Sequence, residues 1–570
     1  MKNTPNFSRM IARFLWAFAF AAGAGFHGLS ADLDRDVDRL FATWDKPGSP
    51  GAAVVIVRDA RVVYTRGYGS ANLEQGTPIT PQTAFDVASM AKQFTGLGVS
   101  MLIQQGKLSA SDDVHKYLPD VPDFGKAMTV GHLLRHTSGL RDWPETLLAS
   151  DVSLEAPITL EMILEMVRRQ RELDFAPGDE YQYSNTGYNL LAAIVGKVTG
   201  KPYAAWMREN VFQPLGMADT AVCVDPRMIT PRRADSYAPD GHCGFREEIS
   251  QLAAQGSSSL FVTAEDMGKW LVNFETGAVG GKAAIAAMLE PGRLNSGAPV
   301  DYGFGLGVGG HYRGAKTVIH TGSWAGFRSV VIRLPEKRFA VAILANVSNL
   351  DTVARAHQVT DLYLGDQLVP KPASASSNAN TNPAQVAAAK LNPASWDAQL
   401  GTYRLGLGWL LTITREGDQL MAQATGEPRF KMTPQSDTKF FVEAYGAGVE
   451  FVREPDGAVT RLLYKGIHAP KLDLSTVTPG YLAAFAGDYW SEELLVTCRL
   501  ELHDGKLINV TRDGERHELL AVGPNRFDGA GFAIEFTRAA GSSATEMKLS
   551  AGRVRRLRFK RVELGSKPLD

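Results

Sequence analysis

The chain has 570 residues, enough for about three to five domains of ordinary size. Its composition, 44% hydrophobic and 21% charged, is that of a globular chain and argues against global disorder. Lys plus Arg (60) nearly cancels Asp plus Glu (61), so the net charge of −1 leaves no electrostatic footprint for nucleic acid or an anionic membrane surface. Three cysteines exclude a disulfide scaffold and a Cys-rich zinc module.

The chain opens on an address. Lys2, Arg9 and Arg13 are followed by the uncharged, largely apolar run Phe14 to Phe26 and the small-residue stretch Leu29-Ser30-Ala31. Residues 1–31 therefore read as a secretory signal peptide, and the protein as exported, periplasmic or secreted. The alternative is an uncleaved anchor helix, but the apolar run is short against the ~20 residues a span needs.

A hairpin comes next, with Ala53 to Arg58 paired to Val62 to Tyr64 across Asp59-Ala60. From Met90 to Gln105 apolar residues recur at helical spacing, and Gly106 suits the helix end. Ser89 sits at the start of that helix, with Lys92 one turn along the same face. A serine hydroxyl is a weak nucleophile until a base takes its proton. A desolvated lysine can be that base. Ser-x-x-Lys alone is a weak signal, because it recurs at Ser436 to Lys439 with no helix behind it.

Partners for the first copy lie downstream. Tyr183-Ser184-Asn185 follows the acidic, Pro/Gly-marked stretch Phe175 to Glu180 and precedes a helix, Tyr188 to Thr199, ending at Gly200. A phenol beside a lysine can share a proton, and the Asn185 amide can position a substrate amide. His320-Thr321-Gly322-Ser323 closes a β run, Thr317 to Ile319. Two further strands follow, Ser329 to Leu334 and Phe339 to Ala345, joined at Pro335-Glu336-Lys337. A strand with small residues beside a nucleophile can donate a backbone N–H to an oxyanion.

Val369 to Lys390 is rich in Pro, Ser, Ala and Asn with almost no large apolar residue, and reads as a linker. Beyond it, alternating strands dominate. Gly401-Thr402-Tyr403 matches Gly487-Asp488-Tyr489, Gly417-Asp418-Gln419-Leu420 loosely matches Asp504-Gly505-Lys506-Leu507, and Glu450-Phe451-Val452-Arg453 matches Glu535-Phe536-Thr537-Arg538. A common shift of about 85 residues points to a duplicated all-β unit. The basic run Arg553 to Arg558 nearly alternates, which suggests a strand with a solvated face.

Other features are blander. His136 lies in a Thr-Ser-Gly turn and reads as a structural histidine; with His132 it could suggest a metal pair, but a third ligand is missing. Asp112, Asp113 and Asp120 sit at turn signals as loop charges, and Trp270 reads as core. Gly305 to Gly310 matches G-x-G-x-x-G with no helix pattern after it, so it reads as chance. Cys223 and Cys243 are close enough in sequence for a disulfide to be one reading and free thiols the other. There is no G-x-S-x-G, the mark of the rival α/β-hydrolases.

Taken in order, Ser89-x-x-Lys92, Tyr183-x-Asn185 and His320-Thr321-Gly322 resemble the serine β-lactamase and penicillin-binding-protein superfamily, in its class C β-lactamase and D-alanyl-D-alanine carboxypeptidase branch. Leu133 to Leu140 and Gly256 to Trp270 also look familial, and the resemblance covers about residues 40 to 365. The β repeats resemble, more loosely, those of three-domain D-aminopeptidases. The resemblance implies an α/β (α+β) catalytic domain, an antiparallel sheet flanked by helices, followed by two small all-β barrel-like domains. The expected division is 32–368 catalytic, 369–393 linker, 394–477 and 478–565 the two repeats.

The resemblance also assigns roles. Ser89 is the nucleophile, Lys92 activates it, and Tyr183 is base for attack and acid for the leaving group. Asn185 positions substrate, His320 takes a place usually held by Lys facing a substrate carboxylate, Thr321 and Gly322 complete that motif, and the backbone N–H groups of Ser89 and Ser323 form the oxyanion hole. No cofactor and no metal are implied. The expected activity is acyl-enzyme formation on a D-amino-acid peptide, β-lactam or related amide or ester, with peptidoglycan fragments as candidate partners. A class C-like β-lactamase, an esterase, or a catalytically weak penicillin-binding sensor are the alternatives. An unperturbed His320 would titrate near ~6.5 and read a carboxylate only below that pH.

Overall fold

The computed structural model describes residues 32–370 and 393–563, apart from 242, 426, 444–445, 474–476 and 530. The signal-peptide reading and all of the linker between residues 371 and 392 lie outside the described residues. Val369, at the linker's expected start, is tied down: its N–H donates to the Arg313 carbonyl at 2.9 Å.

The catalytic unit is built on a six-stranded antiparallel sheet. Its strands are β1 (Ala52–Arg58), β2 (Arg61–Tyr68), β3 (Gly307–Tyr312), β4 (Ala315–Trp324), β5 (Phe327–Leu334) and β6 (Phe339–Ala345), in the order β3-β4-β5-β6-β1-β2. Period-two alternation sorts β1 between two cores. Ala53, Val55 and Val57 face one cluster, which also holds Phe94, Leu97, Leu190 and Trp270. Ala52, Val54 and Ile56 face the other, with Phe41, Val359 and Leu364. Both faces are covered, which is why β1 reads as a continuous β-branched run rather than an alternating one.

Helices α1 (Lys92–Gln104), α2 (Asn185–Thr199) and α3 (Ala264–Thr276) lie on the first face; α4 (Thr352–Leu364) and the helical residues 32–41 lie on the second. Helix α1 is buried nearly all round, so its polar residues end on protein groups: Thr95 donates to Gly256 O at 2.7 Å and Ser100 to Ala284 O at 2.9 Å. Trp270 is indeed core, stacked on Phe94 at 4.0 Å with its indole N–H donated to Gln93 at 2.7 Å.

The C-terminal units are eight strands each. The first runs from Gly401 to Pro470 as a sequential antiparallel sheet; a bridge between Tyr403 and Lys471 brings its ends together. The second, Gly487 to Val562, is a closed barrel. Their kinship is structural as well as textual. Tyr403 donates to Gln399 O at 2.7 Å and packs on Phe451 at 5.8 Å; Tyr489 donates to Phe485 O at 2.8 Å and packs on Phe536 at 5.7 Å. The three cysteines are unpaired: Cys223 is buried and Cys243 exposed.

The β1–β2 turn carries local strain. Asp59 (φ 51°) and Ala60 (φ 58°) both sit in the left-handed region that a two-residue hairpin turn of this kind requires. For alanine this costs about 1–2 kcal/mol, while a glycine there gives back part of the gain through its flexible unfolded state. Ala60→Gly should therefore stabilise the catalytic unit by about 0.5 kcal/mol, measured as a higher urea midpoint. A lower midpoint would show that the turn is not strained.

Candidate active site

The position of Ser89, the expected nucleophile, is set before α1 begins. Residues Ala88–Ala91 form a 3₁₀ turn, and Ser89 stands in it rather than at the first residue of the helix. In a 3₁₀ turn side chains three apart eclipse, which stacks Lys92 beneath Ser89. Ala88 is held at φ 47°, its N–H bonded to Asp86 Oδ1 at 2.8 Å. Strand β4 presses on this turn: a Cβ on Gly322 would lie 2.1 Å from Val87 O, and Ser329 donates to the same carbonyl at 2.9 Å. Glycine is obligatory there because the backbones touch.

Lys92 is fully buried. Its Nζ lies 2.7 Å from Asn185 Oδ1, 2.8 Å from Ser257 O and 3.2 Å from Ser89 Oγ. The first two can only accept. The orientation of the Asn185 amide follows from Asp142, whose Oδ2 accepts the Asn185 Nδ2–H at 2.9 Å and whose Oδ1 accepts the Asn185 backbone N–H at 2.6 Å. Burial pushes the Lys92 ammonium far below its usual range; Asp142 opposes that and Arg553 adds to it. A neutral amine has two N–H groups, which the two acceptors take. Its lone pair is then left facing the Ser89 hydroxyl.

Tyr183 lies across the same site, its ring centroid 4.8 Å from Lys92 Nζ. Burial pushes its phenol above the ordinary range, against a hydrogen bond with Ser89 that works the other way. Tyr183 is thus a protonated phenol at neutral pH, suited to donating rather than accepting. This differs from the role of base for attack that the resemblance assigns it.

His320 sits beside this group, its ring 6.2 Å from that of Tyr183, but its state differs from expectation. It is 7% exposed. Nδ1 lies 2.7 Å from Thr321 O and so donates; Nε2 then accepts from Tyr302 O–H at 2.8 Å. Burial, with Lys92 nearby, pushes its pKa down to about 3. The ring is neutral throughout the physiological range, so the expectation of titration near 6.5 is corrected. Thr321 and Ser323 project to solvent from the same strand.

The remaining sequence candidates resolve plainly. His136 Nδ1 accepts the Ser184 N–H at 3.1 Å, and His132 caps its own helix by accepting from Thr129 N–H at 3.2 Å. Ser436 is consumed by a turn, accepting from Lys439 N–H at 3.0 Å, while Lys439 Nζ pairs with Glu450 at 3.2 Å. Gly305 packs on the Lys92 backbone and leads into strand β3, not a helix.

Sequence reasoning missed four participants: Asp142, the Ser257 carbonyl, Tyr302 and Arg553. The basic run does form a strand, Val554–Val562, on which Arg556 and Arg558 are exposed between buried apolar residues, as its near-alternation suggests; what the pattern did not show is that several of its arginines, and Arg553 in the turn before it, pair with carboxylates of the catalytic unit. Arg553 pairs with Asp142 at 2.9 Å and Glu145 at 3.1 Å, Arg555 with Glu180 at 2.9 Å, and Arg558 with Glu172 at 2.5 Å.

A family profile described as Beta-lactamase matches residues 37–365, more than half of the chain. The chain belongs to this family. It is 28% identical to penicillin-binding protein 4* of Bacillus subtilis over 446 residues, covering 76% of this chain and 96% of that protein. It is 29% identical to a D-aminopeptidase of Gluconobacter oxydans over 337 residues, covering 59% of this chain and 62% of that one. Among solved structures, the octameric penicillin-binding protein homologue of Pyrococcus abyssi superposes with a TM-score of 0.53 at 23% identity, over 77% of this chain and 99% of that one. The likeness to that structure concerns the fold.

The buried imidazoles have a measurable consequence. His136 and His320 are both held below the ordinary histidine pKa. Below ~6.5 the unfolded chain takes up protons that these native rings refuse, so their stability contribution is full above that pH and declines as pH falls below it, for His320 down to about 3. Each refused proton weighs about 1.4 kcal/mol per pH unit. His320→Gln should shrink the stability difference between pH 7 and pH 5 by about 2 kcal/mol, read from urea unfolding. An unchanged difference would mean that the ring titrates normally in the fold.

Proposed function

We propose that this protein is a serine hydrolase that forms an acyl-enzyme at Ser89 on amides or esters of D-amino acids, short D-amino-acid peptides included. The observation that carries the reading is the arrangement of Lys92: two obligate acceptors hold its buried Nζ, which stands 3.2 Å from the Ser89 hydroxyl. Ser89 Oγ attacks the substrate carbonyl as its proton passes to Lys92 Nζ. The backbone N–H groups of Ser89 and Ser323 receive the oxyanion. Tyr183 gives its proton to the leaving amine or alkoxide and is reprotonated through Lys92. Water then repeats the sequence on the ester, with Ser89 as leaving group.

The neutral His320 bears on substrate choice. With no charge of its own it offers a substrate carboxylate little, which favours amide and ester substrates over D-alanyl-D-alanine carboxypeptidase or strong class C-like β-lactamase activity. The D-aminopeptidase relative supports the D-aminoacyl class. The export signal read at residues 1–31 would place the substrate outside the cytoplasm, where peptidoglycan fragments supply D-amino acids.

Intact-mass spectrometry tests the reading. Wild-type protein mixed with a D-alanyl nitroanilide, a D-alanyl nitrophenyl ester and a penicillin should acquire an acyl adduct with at least the ester, and turn over the first two. Ser89→Ala should remain folded, since one hydroxyl in a cleft contributes little to stability, and should show no adduct. Ser436→Ala should behave as wild type. An adduct that survives Ser89→Ala would refute the assignment of the nucleophile. Rapid penicillin turnover with inert D-aminoacyl substrates would favour the β-lactamase reading instead.

A further inference from the structure

The described carboxylate nearest the catalytic amine's support is Asp142, and its environment is unusual. Its side chain is 1% exposed. Beyond the two bonds from Asn185, its Oδ1 accepts the Thr186 backbone N–H at 3.2 Å. Its formal ion-pair partner comes from the far end of the chain. The turn Gly552–Arg553, between strands Glu546–Ala551 and Val554–Val562 of the C-terminal barrel, inserts here. Arg553 reaches Asp142 Oδ2 and Glu145 Oε1, and its guanidinium lies 5.4 Å from the Tyr183 ring centroid. Gln182 anchors the turn by donating to Arg553 O at 2.6 Å.

The turn fits closely. Gly552 has φ 50°, and a Cβ there would stand 3.0 Å from Glu145. The surrounding seam is polar and tight. Arg141, buried, bonds Asp174 at 2.7 Å, Glu493 of the barrel at 2.8 Å, and the Arg555 carbonyl. Arg555 N–H donates to Asp174 at 3.0 Å. The barrel is therefore fixed on the catalytic unit at the place where Arg553 enters.

We propose that the barrel completes the active site through Arg553, a positioning residue that holds Asp142 and offsets its charge, so that Asn185 stays oriented and Lys92 stays an uncharged base. This rests on the acyl-hydrolase reading above. The charged or titratable groups facing Lys92 are Asp142 and Arg553, with Glu145 behind them, the phenols Tyr183 and Tyr188, and the imidazoles His136 and His320. Both imidazoles are neutral and both phenols are held protonated by burial, so the balance near Lys92 is between Asp142 and Glu145 on one side and Arg553 on the other.

The sign follows directly. Removing Arg553 leaves the carboxylate charge less opposed, which favours the ammonium form of Lys92. The acid limb of kcat/KM, which reports loss of the proton from Lys92, should move to higher pH. The expected shift in Arg553→Ala is about 1 pH unit, the lower end of what one nearby charge does, with roughly 10-fold lower kcat/KM on the acid side and recovery toward wild type at high pH. Arg553→Lys should restore most of the limb's position. Arg555→Ala and Arg558→Ala, which break neighbouring ion pairs of the same seam, should leave it in place.

The measurement is a pH profile of kcat/KM on a neutral D-aminoacyl ester with the full chain, and Arg553→Gln serves if the alanine variant does not fold. An active Arg553→Ala or Arg553→Gln enzyme with an unmoved acid limb would overturn the proposal. So would a uniform loss at every pH that Arg555→Ala reproduces, since that is what a merely structural seam predicts. Failure of the wild type to form any adduct at Ser89 would instead refute the acyl-hydrolase reading itself.

Discussion

An amine without access to water must be satisfied by the protein or give up its charge. Placing an ammonium in the interior costs several kcal/mol even after relaxation, and a buried lysine commonly relieves this by deprotonating. Lys92 is fully buried, and the groups that meet it come from separate parts of the chain: Ser89 on its own turn, Asn185 at the head of α2, and Ser257 in the loop before α3. The motifs must converge because one buried nitrogen requires all of them. The close backbone contacts serve the same end: Gly305 against Lys92, Gly256 against the Tyr188 carbonyl and Gly322 against Val87 remove side chains where elements have to approach.

Burial also divides the proton-handling roles. It lowers the amine and raises the phenol, which in the proposed mechanism suits the amine to accept and the phenol to give. Two titratable neighbours with pKa values pushed apart make a matched base and acid. The same burial silences His320. Its Nδ1–H is spent on its own neighbour's carbonyl and its Nε2 on Tyr302, so a residue type known as a pH switch here acts as a fixed hydrogen-bond relay.

Local patterns carried much of this to the surface of the sequence. The Asp59-Ala60 hairpin, the Gly200 helix end at φ 68° and the Pro335 turn follow from residue chemistry within a few positions. The duplicated β units were legible because Tyr403 and Tyr489 each make the same two contacts, and a repeated contact preserves repeated letters. The order of the motifs, through family resemblance, pointed to Ser89, Lys92, Tyr183 and Asn185. Asp142 and Arg553 were not legible, since a carboxylate followed by Trp-Pro looks like any helix cap and an alternating basic strand looks solvated. Their meaning exists only as a contact between residues about four hundred positions apart. The charge state of His320 was hidden for a related reason: it depends on burial, with Lys92 nearby, which arises only when distant elements pack on the strand.

The C-terminal units extend this logic beyond the catalytic unit. A buried carboxylate such as Asp142 could have been answered by a cation within its own domain, but the described structure answers it with Arg553 from the barrel. That choice makes the geometry of the barrel part of the electrostatics of the site. The first β unit helps to hold that geometry. Arg404 of that unit donates to the buried Asp528 of the barrel at 2.6 Å, and Gly408 lies so close to Gly531 that a Cβ would stand 2.2 Å from its carbonyl carbon. The barrel is thus held from two sides, by the first repeat and by the catalytic seam. A turn that must deliver one guanidinium to one carboxylate gains from such a mount, because the closed sheet behind it has no free edge along which to slip.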